Sequence, residues 1–251
     1  MAVIAILAPS AKLLAWAAPT LGVVFDCANS GSTCVNSLTG LTDTSALLVL
    51  VGQVGSDANA TYAVTETEGL NAYTEWSLGE QYASNNRGCN IFTATNITTS
   101  SGALTVTVTV GNGTPNFRVM IMEVVGAATS SLVDVVDSLD DGASVNNHPM
   151  ASPGLTTLTD VFIAGIWGGA SQIITYTAAS DFTSRTADFP NTATTAQYIS
   201  SSPGRTSETA TWNGTTAGEG MNCLISVKSP TSAAQSGESA VVGKILGGGI
   251  L

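Results

Sequence analysis

Apolar and polar residues alternate most regularly where Leu104, Val106, Val108 and Val110 interleave with Thr105, Thr107 and Thr109. A period of two belongs to a strand with one face in a core and the other in water. Gly111 to Pro115 supplies turn residues, and Phe117 to Val125 answers as an almost wholly apolar strand, so the pair predicts a β-hairpin. Ala46 to Val54 (ALLVLVGQV) is a continuous apolar run, the mark of a strand covered on both faces. Further strands are predicted over Ala60 to Glu66, Thr74 to Leu78, Asn90 to Thr95, Asp160 to Trp167, Gln172 to Thr177, Gln197 to Ser200, Ser207 to Trp212 and Met221 to Lys228. About ten to twelve strands at this spacing predict an all-β fold, an antiparallel two-sheet β-sandwich, jelly-roll-like, with apolar N- and C-terminal arms.

Two stretches fit this pattern less simply. Within Ser130 to Ser144, Leu132, Val135, Val136 and Leu139 make a helical stripe, whereas Val133 and Val135 suit an extended strand. The preferred expectation there is a long excursion between the two sheets. Residues 1–25 carry a single charged side chain, Lys12. A signal peptide ending near Ala15-Trp16-Ala17 is the rival, but no basic segment precedes the apolar run, and Pro9 and Pro19 interrupt it. The same prolines and Lys12 weaken a membrane span. The expected organisation is an apolar N-terminal arm over 1–20, with a short helix at Ser10 to Ala18, a β-sandwich domain over 21–229, and a linker with an apolar C-terminal arm over 230–251.

Composition supports short strands and many turns. Only 10% of the 251 residues are charged, against about 25% in an ordinary soluble domain, and 34 Thr, 27 Ser and 26 Gly take their place. The 44% hydrophobic content argues against disorder. The net charge is −11, and the seven basic residues are scattered, with neither Lys nor Arg between Arg118 and Arg185. No basic patch can neutralise a run of phosphates, so nucleic acid is not an expected partner. Of the four cysteines, Cys27 and Cys34 flank a turn-like hexamer and are the candidate disulfide. Cys89 and Cys223 lie in strand-like runs, where a bond and two buried free thiols are both open. With no CxxC pair and one histidine, His148, no metal site is expected.

No residue stands out as a catalyst. His148 sits in a loop-like segment beside Pro149, and neither GxSxG nor a P-loop lysine motif occurs. Asp134, Asp137, Asp140 and Asp141 cluster without the alternating calcium-loop pattern, so a solvated acidic loop is expected. Glu66 with Glu68, and Glu75 with Glu80, could imitate glycosidase pairs, although strand ends and turns explain them equally. Glu123 interrupts an apolar strand, for which Arg118 or an edge position would account. Trp76 and Trp212 are candidate ligand-stacking residues, while Trp167 fits a core. Sequons occur at Asn59, Asn96, Asn112 and Asn213, where a Thr-rich chain produces them by chance.

The order of the apolar strands carries a resemblance. LLVLVG opens it, EVVGA followed by Asp134 continues it, and TATW and NCLISVK close it, covering roughly Val23 to Ser229. In this the chain resembles the β-sandwich modules of bacteriophage virion and tail-associated proteins and of bacterial surface proteins. The resemblance implies a structural or display role without catalytic site or cofactor, in a virion or at a cell surface. The expected function is a non-enzymatic structural protein of a virion (capsid decoration, tail or fibre component) or surface assembly, held by its arms to copies of itself and to other assembly proteins. The alternative is an adhesin module that binds a host receptor or glycan; a hydrolase using acidic residues ranks last.

Overall fold

The computed structural model describes residues 19–29, 32–54, 60–76, 88–99, 103–112, 116–140, 145–149, 161–169, 176–177, 183–184, 194–202, 211–218 and 220–230. Apart from their inner ends, both expected arms lie outside these residues, as does the helix expected at Ser10 to Ala18.

Where the alternation is strongest the chain is extended, and the first eight strands are β1 (Thr20–Asn29), β2 (Thr33–Thr39), β3 (Ala46–Val54), β4 (Tyr62–Glu66), β5 (Thr74–Trp76), β6 (Gly88–Ala94), β7 (Ala103–Val110) and β8 (Asn116–Val125). They form two antiparallel sheets, in the orders β1-β8-β3-β6-β5 and β2-β7-β4. First strand pairs with last, second with seventh and third with sixth, as when a long hairpin is wound into the two sheets of a jelly roll. The hairpin expected of β7 and β8 is therefore not one: the two strands enter different sheets. Only β5, three residues long, sits apart from β4 and pairs with β6 instead.

Eight more strands follow: β9 (Val133–Asp140), β10 (Val145–Pro149), β11 (Val161–Gly169), β12 (Tyr176–Thr177), β13 (Thr183–Ser184), β14 (Thr194–Ser202), β15 (Thr211–Gly218) and β16 (Gly220–Lys228). Their sheets run β13-β14-β11-β16-β9 and β10-β15-β12. Numbered from its own first strand, the second set repeats the first, 1-8-3-6-5 and 2-7-4. The all-β antiparallel class is the one the sequence predicts. The span expected as one sandwich holds the same eight-stranded unit twice, and Val133–Asp140 opens the second unit rather than making an excursion.

An irregularity confirms the equivalence. In β1 the register with β8 shifts between Leu21 and Val24, so that Gly22 and Val23 face the single residue Glu123. In β9 the register with β16 shifts at the corresponding place, and Asp134 with Val135 faces Ser226. Both are β-bulges, one extra residue that bends the first strand of each unit.

The two units meet through their larger sheets. On β3, Ala46, Leu48 and Leu50 face the second unit, while Leu47, Val49 and Val51 face β2-β7-β4. On β8, Met120, Met122 and Val124 share the first direction, and Phe117, Val119 and Ile121 the second. Phe162, Ala164 and Ile166 of β11 and Met221, Cys223, Ile225 and Val227 of β16 complete the shared core. The central sheet is thus buried on both faces, which is why its strands read as continuous apolar runs. Strand β11 lies across β3 and β6, and β14 lies across β3 in return, the reciprocity of a two-fold relation between unlike halves. At Gly168 the backbones nearly touch: a Cβ there would lie 2.8 Å from the carbonyl oxygens of both Gln53 and Gly88. The connection between units is itself packed, for Ala127 and Leu132 enter the core. The Ala128 N–H donates to the Lys228 carbonyl, and the Lys228 N–H to that of Leu132 (2.8 and 2.9 Å).

Candidate functional site

Carboxylates are the groups most able to do chemistry here, and two of the described ones, Glu66 and Glu123, hold backbone in place. Glu123 is 1% exposed on β8, a strand flanked on both sides, so an edge position does not explain it. Arg118 is an odd number of residues away on the same strand and points to the opposite face. Instead the bulge of β1 and the turn before β3 turn their amides inward. The Val23 N–H donates to Oε2 (3.1 Å) and the Thr42 N–H to Oε1 (2.5 Å). Gly22 belongs to the same arrangement, because a Cβ there would collide with this carboxylate. In the second unit Ser226 stands where Glu123 stands in the first; it is fully buried and its hydroxyl finds no partner among the described residues.

Glu66, at the end of β4, caps the following loop. Its Oε1 accepts from the amides of Leu70 (2.7 Å) and Asn71 (2.8 Å), and its Oε2 from Asn71 Nδ2 (2.8 Å). Asn71 then ties that loop to Thr98 through the Thr98 amide (2.9 Å) and carbonyl (3.1 Å). Glu75 accepts from Asn90 Nδ2 (2.9 Å). Glu80 lies outside the described residues. Of the two candidate pairs, Glu66 is thus taken up by the loop it caps, and only Glu75 of the second pair is among the described residues. Asp134 and Asp137 lie on β9, while the side chain of Asp140 and all of Asp141 lie outside the described residues. Among the described residues, no three or more His, Cys, Asp or Glu side chains group as metal ligands.

Tyr73 packs beside this loop, and its hydroxyl is buried without a hydrogen-bond partner among the described residues. Burial, and next the negative charge of Glu66, push its ionisation well above the usual tyrosine range. The native state therefore keeps this proton where the unfolded chain loses it, near pH 10. Its contribution to stability is complete below that pH and falls as pH rises further. In near-ultraviolet titration of the folded protein, one tyrosine should resist ionisation until alkaline unfolding. Glu66→Gln should bring its titration closer to the others; ionisation of every tyrosine together near pH 10 would contradict this.

The aromatic candidates separate. Trp76, on the short edge strand β5, is half-buried against the shared core, and its indole N–H donates to Thr93 Oγ1 (2.9 Å). That leaves it a packed, anchored ring rather than an open platform. Trp212 lies on β15 directly opposite His148 of β10, a strand the sequence leaves as a loop. The side chains of both, like that of Trp167, lie outside the described residues. Of the sequons, Asn96 and Asn112 are exposed, Asn96 in a left-handed turn with φ 58°. Asn59 lies outside the described residues, and so does the side chain of Asn213.

Cys89 and Cys223 are bonded to each other, joining β6 of the first unit to β16 of the second. The free-thiol alternative is thereby removed. Cys34 is also in a disulfide; the side chain of Cys27, its expected partner, lies outside the described residues.

The most distinctive exposed surface is the outer face of β2-β7-β4. Thr33, Val35, Ser37 and Thr39 on β2 lie opposite Thr109, Thr107, Thr105 and Ala103 on β7, with Ala63 and Thr65 of β4 beyond. Ser37 and Thr105 hydroxyls are 3.1 Å apart. Among the described residues of these strands this face carries no charge and offers hydroxyls and small apolar groups. No helix of the described residues is long and apolar enough to cross a membrane. No family model, curated protein or solved structure matches the chain.

Proposed function

We propose that this chain is a non-enzymatic structural protein of a virion or of another extracellular or cell-surface assembly. The observation that carries the proposal is the duplicated jelly roll: two eight-stranded units fastened face to face by a shared apolar core and a buried disulfide. Such a body is rigid and suits load-bearing and display, and jelly rolls recur in capsid and lectin domains. Fold alone is an analogy. Support from the residues is that Glu66, Glu75 and Glu123 act as ties between chain segments. Disulfides favour an oxidising compartment. The partners are copies of the chain and other assembly proteins, engaged through the apolar ends.

The test compares the mass in solution of the full-length chain with one trimmed to residues 19–230, which retains every described strand. Assembly beyond a small oligomer by the full-length chain alone supports the proposal. Identical masses, with both proteins folded, overturn the role given to the arms. The adhesin alternative draws on the register of β10 with β15, in which Trp212 is the backbone partner of His148. A glycan array on which the full-length chain finds no ligand would dispose of it.

A further inference from the structure

Sheet edges expose unpaired amide and carbonyl groups, and proteins guard them with charges, prolines, bulges or very short strands. Among the edge strands of the first unit, β1 is bulged, β5 is three residues long and carries Glu75, and β4 ends in Glu66. Strand β2 has none of these devices. Its seven residues, TCVNSLT, contain no charge and no proline, and its register with β7 runs unbroken from Thr33 to Thr39. Among the described residues no strand is hydrogen-bonded to its far side, although β1 of the other sheet packs nearby. At its middle, Val35 is 56% exposed, one of two large hydrophobic residues so exposed among the described residues.

The duplication supplies an internal control. Strand β10 holds the same place in the second unit, and there the protections are present: the register with β15 shifts between Val145 and Asn147, and the strand ends at Pro149. One of two equivalent edges has been blunted and the other left open. We propose that β2 is a pairing edge for a second copy of this chain, joined antiparallel about a two-fold axis to make one continuous sheet across both copies.

Sequence and charge both favour a second copy as the occupant. Centred on Asn36, an antiparallel self-pairing sets Thr33 opposite Thr39 and Val35 opposite Ser37, so hydroxyl faces hydroxyl at the ends and no charge enters the pairing. Each copy carries a net charge of −11, so two copies repel except where their surfaces are neutral. Strands β2 and β7 form such a surface, without a single ionisable side chain other than the disulfide-bonded Cys34. Because β2 is the one edge among the described strands without such a device, the pairing closes as a dimer and does not run on into a filament. It is independent of the arms and of the proposed function.

The experiment is sedimentation of the full-length chain over a range of concentrations, beside Val35→Lys and Thr107→Lys, with hydrogen exchange followed over residues 33–39. Near-ultraviolet circular dichroism verifies that the variants fold. Wild-type should show a dimer step, with slower exchange in 33–39 as concentration rises. Val35→Lys should weaken that step about tenfold or more by placing like charges across the axis. Thr107→Lys, on the same face but in the middle of the sheet, should weaken it far less. A wild-type chain whose 33–39 amides exchange at a rate independent of concentration would overturn the proposal. So would equal effects of the two lysines, which would mean face-to-face stacking. Trimming to 19–230 should leave the dimer step intact, so failure of the arm proposal and failure of this one are read separately.

Discussion

Replacing Cys89 and Cys223 together by alanine should lower the unfolding free energy by about 4 to 5 kcal/mol, the chain-entropy value for a loop of more than 100 residues. The two cysteines are 134 positions apart and join β6 to β16, so the bond closes a loop that holds the last strands of the first unit and nearly all of the second. Cutting it frees the denatured chain and leaves the native core almost complete, since alanine fills part of each site. Denaturant unfolding should show an earlier midpoint, and reductant, which also opens the disulfide of Cys34 in both proteins, should bring the two to nearly the same midpoint. The shape of the transition carries a second expectation. With the bond present the units should unfold together. Without it, the interface has only apolar packing and the short connection through Ala127 to Leu132, and two transitions should begin to separate. A loss below about 1 kcal/mol, with a single unchanged transition, would mean that the shared core alone sets the cooperativity.

The next largest effect is expected at Glu123. Glu123→Ala should cost about 3 to 5 kcal/mol, because it strands the amides of Val23 and Thr42 in a buried site and removes the side chain that fills the bulge. Glu123→Gln keeps the shape and one acceptor oxygen but turns an NH2 group toward the second amide, so about 1 to 3 kcal/mol is expected. Equilibrium unfolding measures both, and the order of the two variants is the diagnostic part. Equal losses would show that charge, rather than filled space, dominates. Exchange of the Val23 and Thr42 amides should accelerate in both variants, while amides in the middle of β11 should be affected only through global stability.

Much of this architecture was legible in the residues. The Thr/Val alternation of β7 and the unbroken apolar run of β3 mark one face and two faces buried, because side-chain direction alternates within a strand whatever lies beside it. The low charge and abundant hydroxyls likewise fit the neutral outer face of β2-β7-β4. The repetition itself was available: LLVLVG and FIAGIWG occupy matching positions of β3 and β11, and each unit closes on an apolar strand before a connection or tail. It was obscured because the residues at matching positions differ, as ALLVLVG and FIAGIWG do, and period-two strands look alike whatever their role.

Other features required the folded chain. Glu123 looks anomalous in one dimension, since the amides that donate to its carboxylate belong to Val23 and Thr42, far away in sequence. Cys89 and Cys223 could equally have been thiols, for nothing local brings residues 134 apart within bonding distance. The apolar runs state that β3 and β8 are covered twice but not by what, and only packing supplies the second unit as the cover. By itself, then, the sequence determined the β character, the alternation of faces and the neutrality of the surface, all properties of neighbouring residues along one strand. Tertiary structure decided the strand order, the doubling of the jelly roll, the disulfide across it and the burial of Glu123, because each depends on contacts between segments that the chain brings together only when it closes.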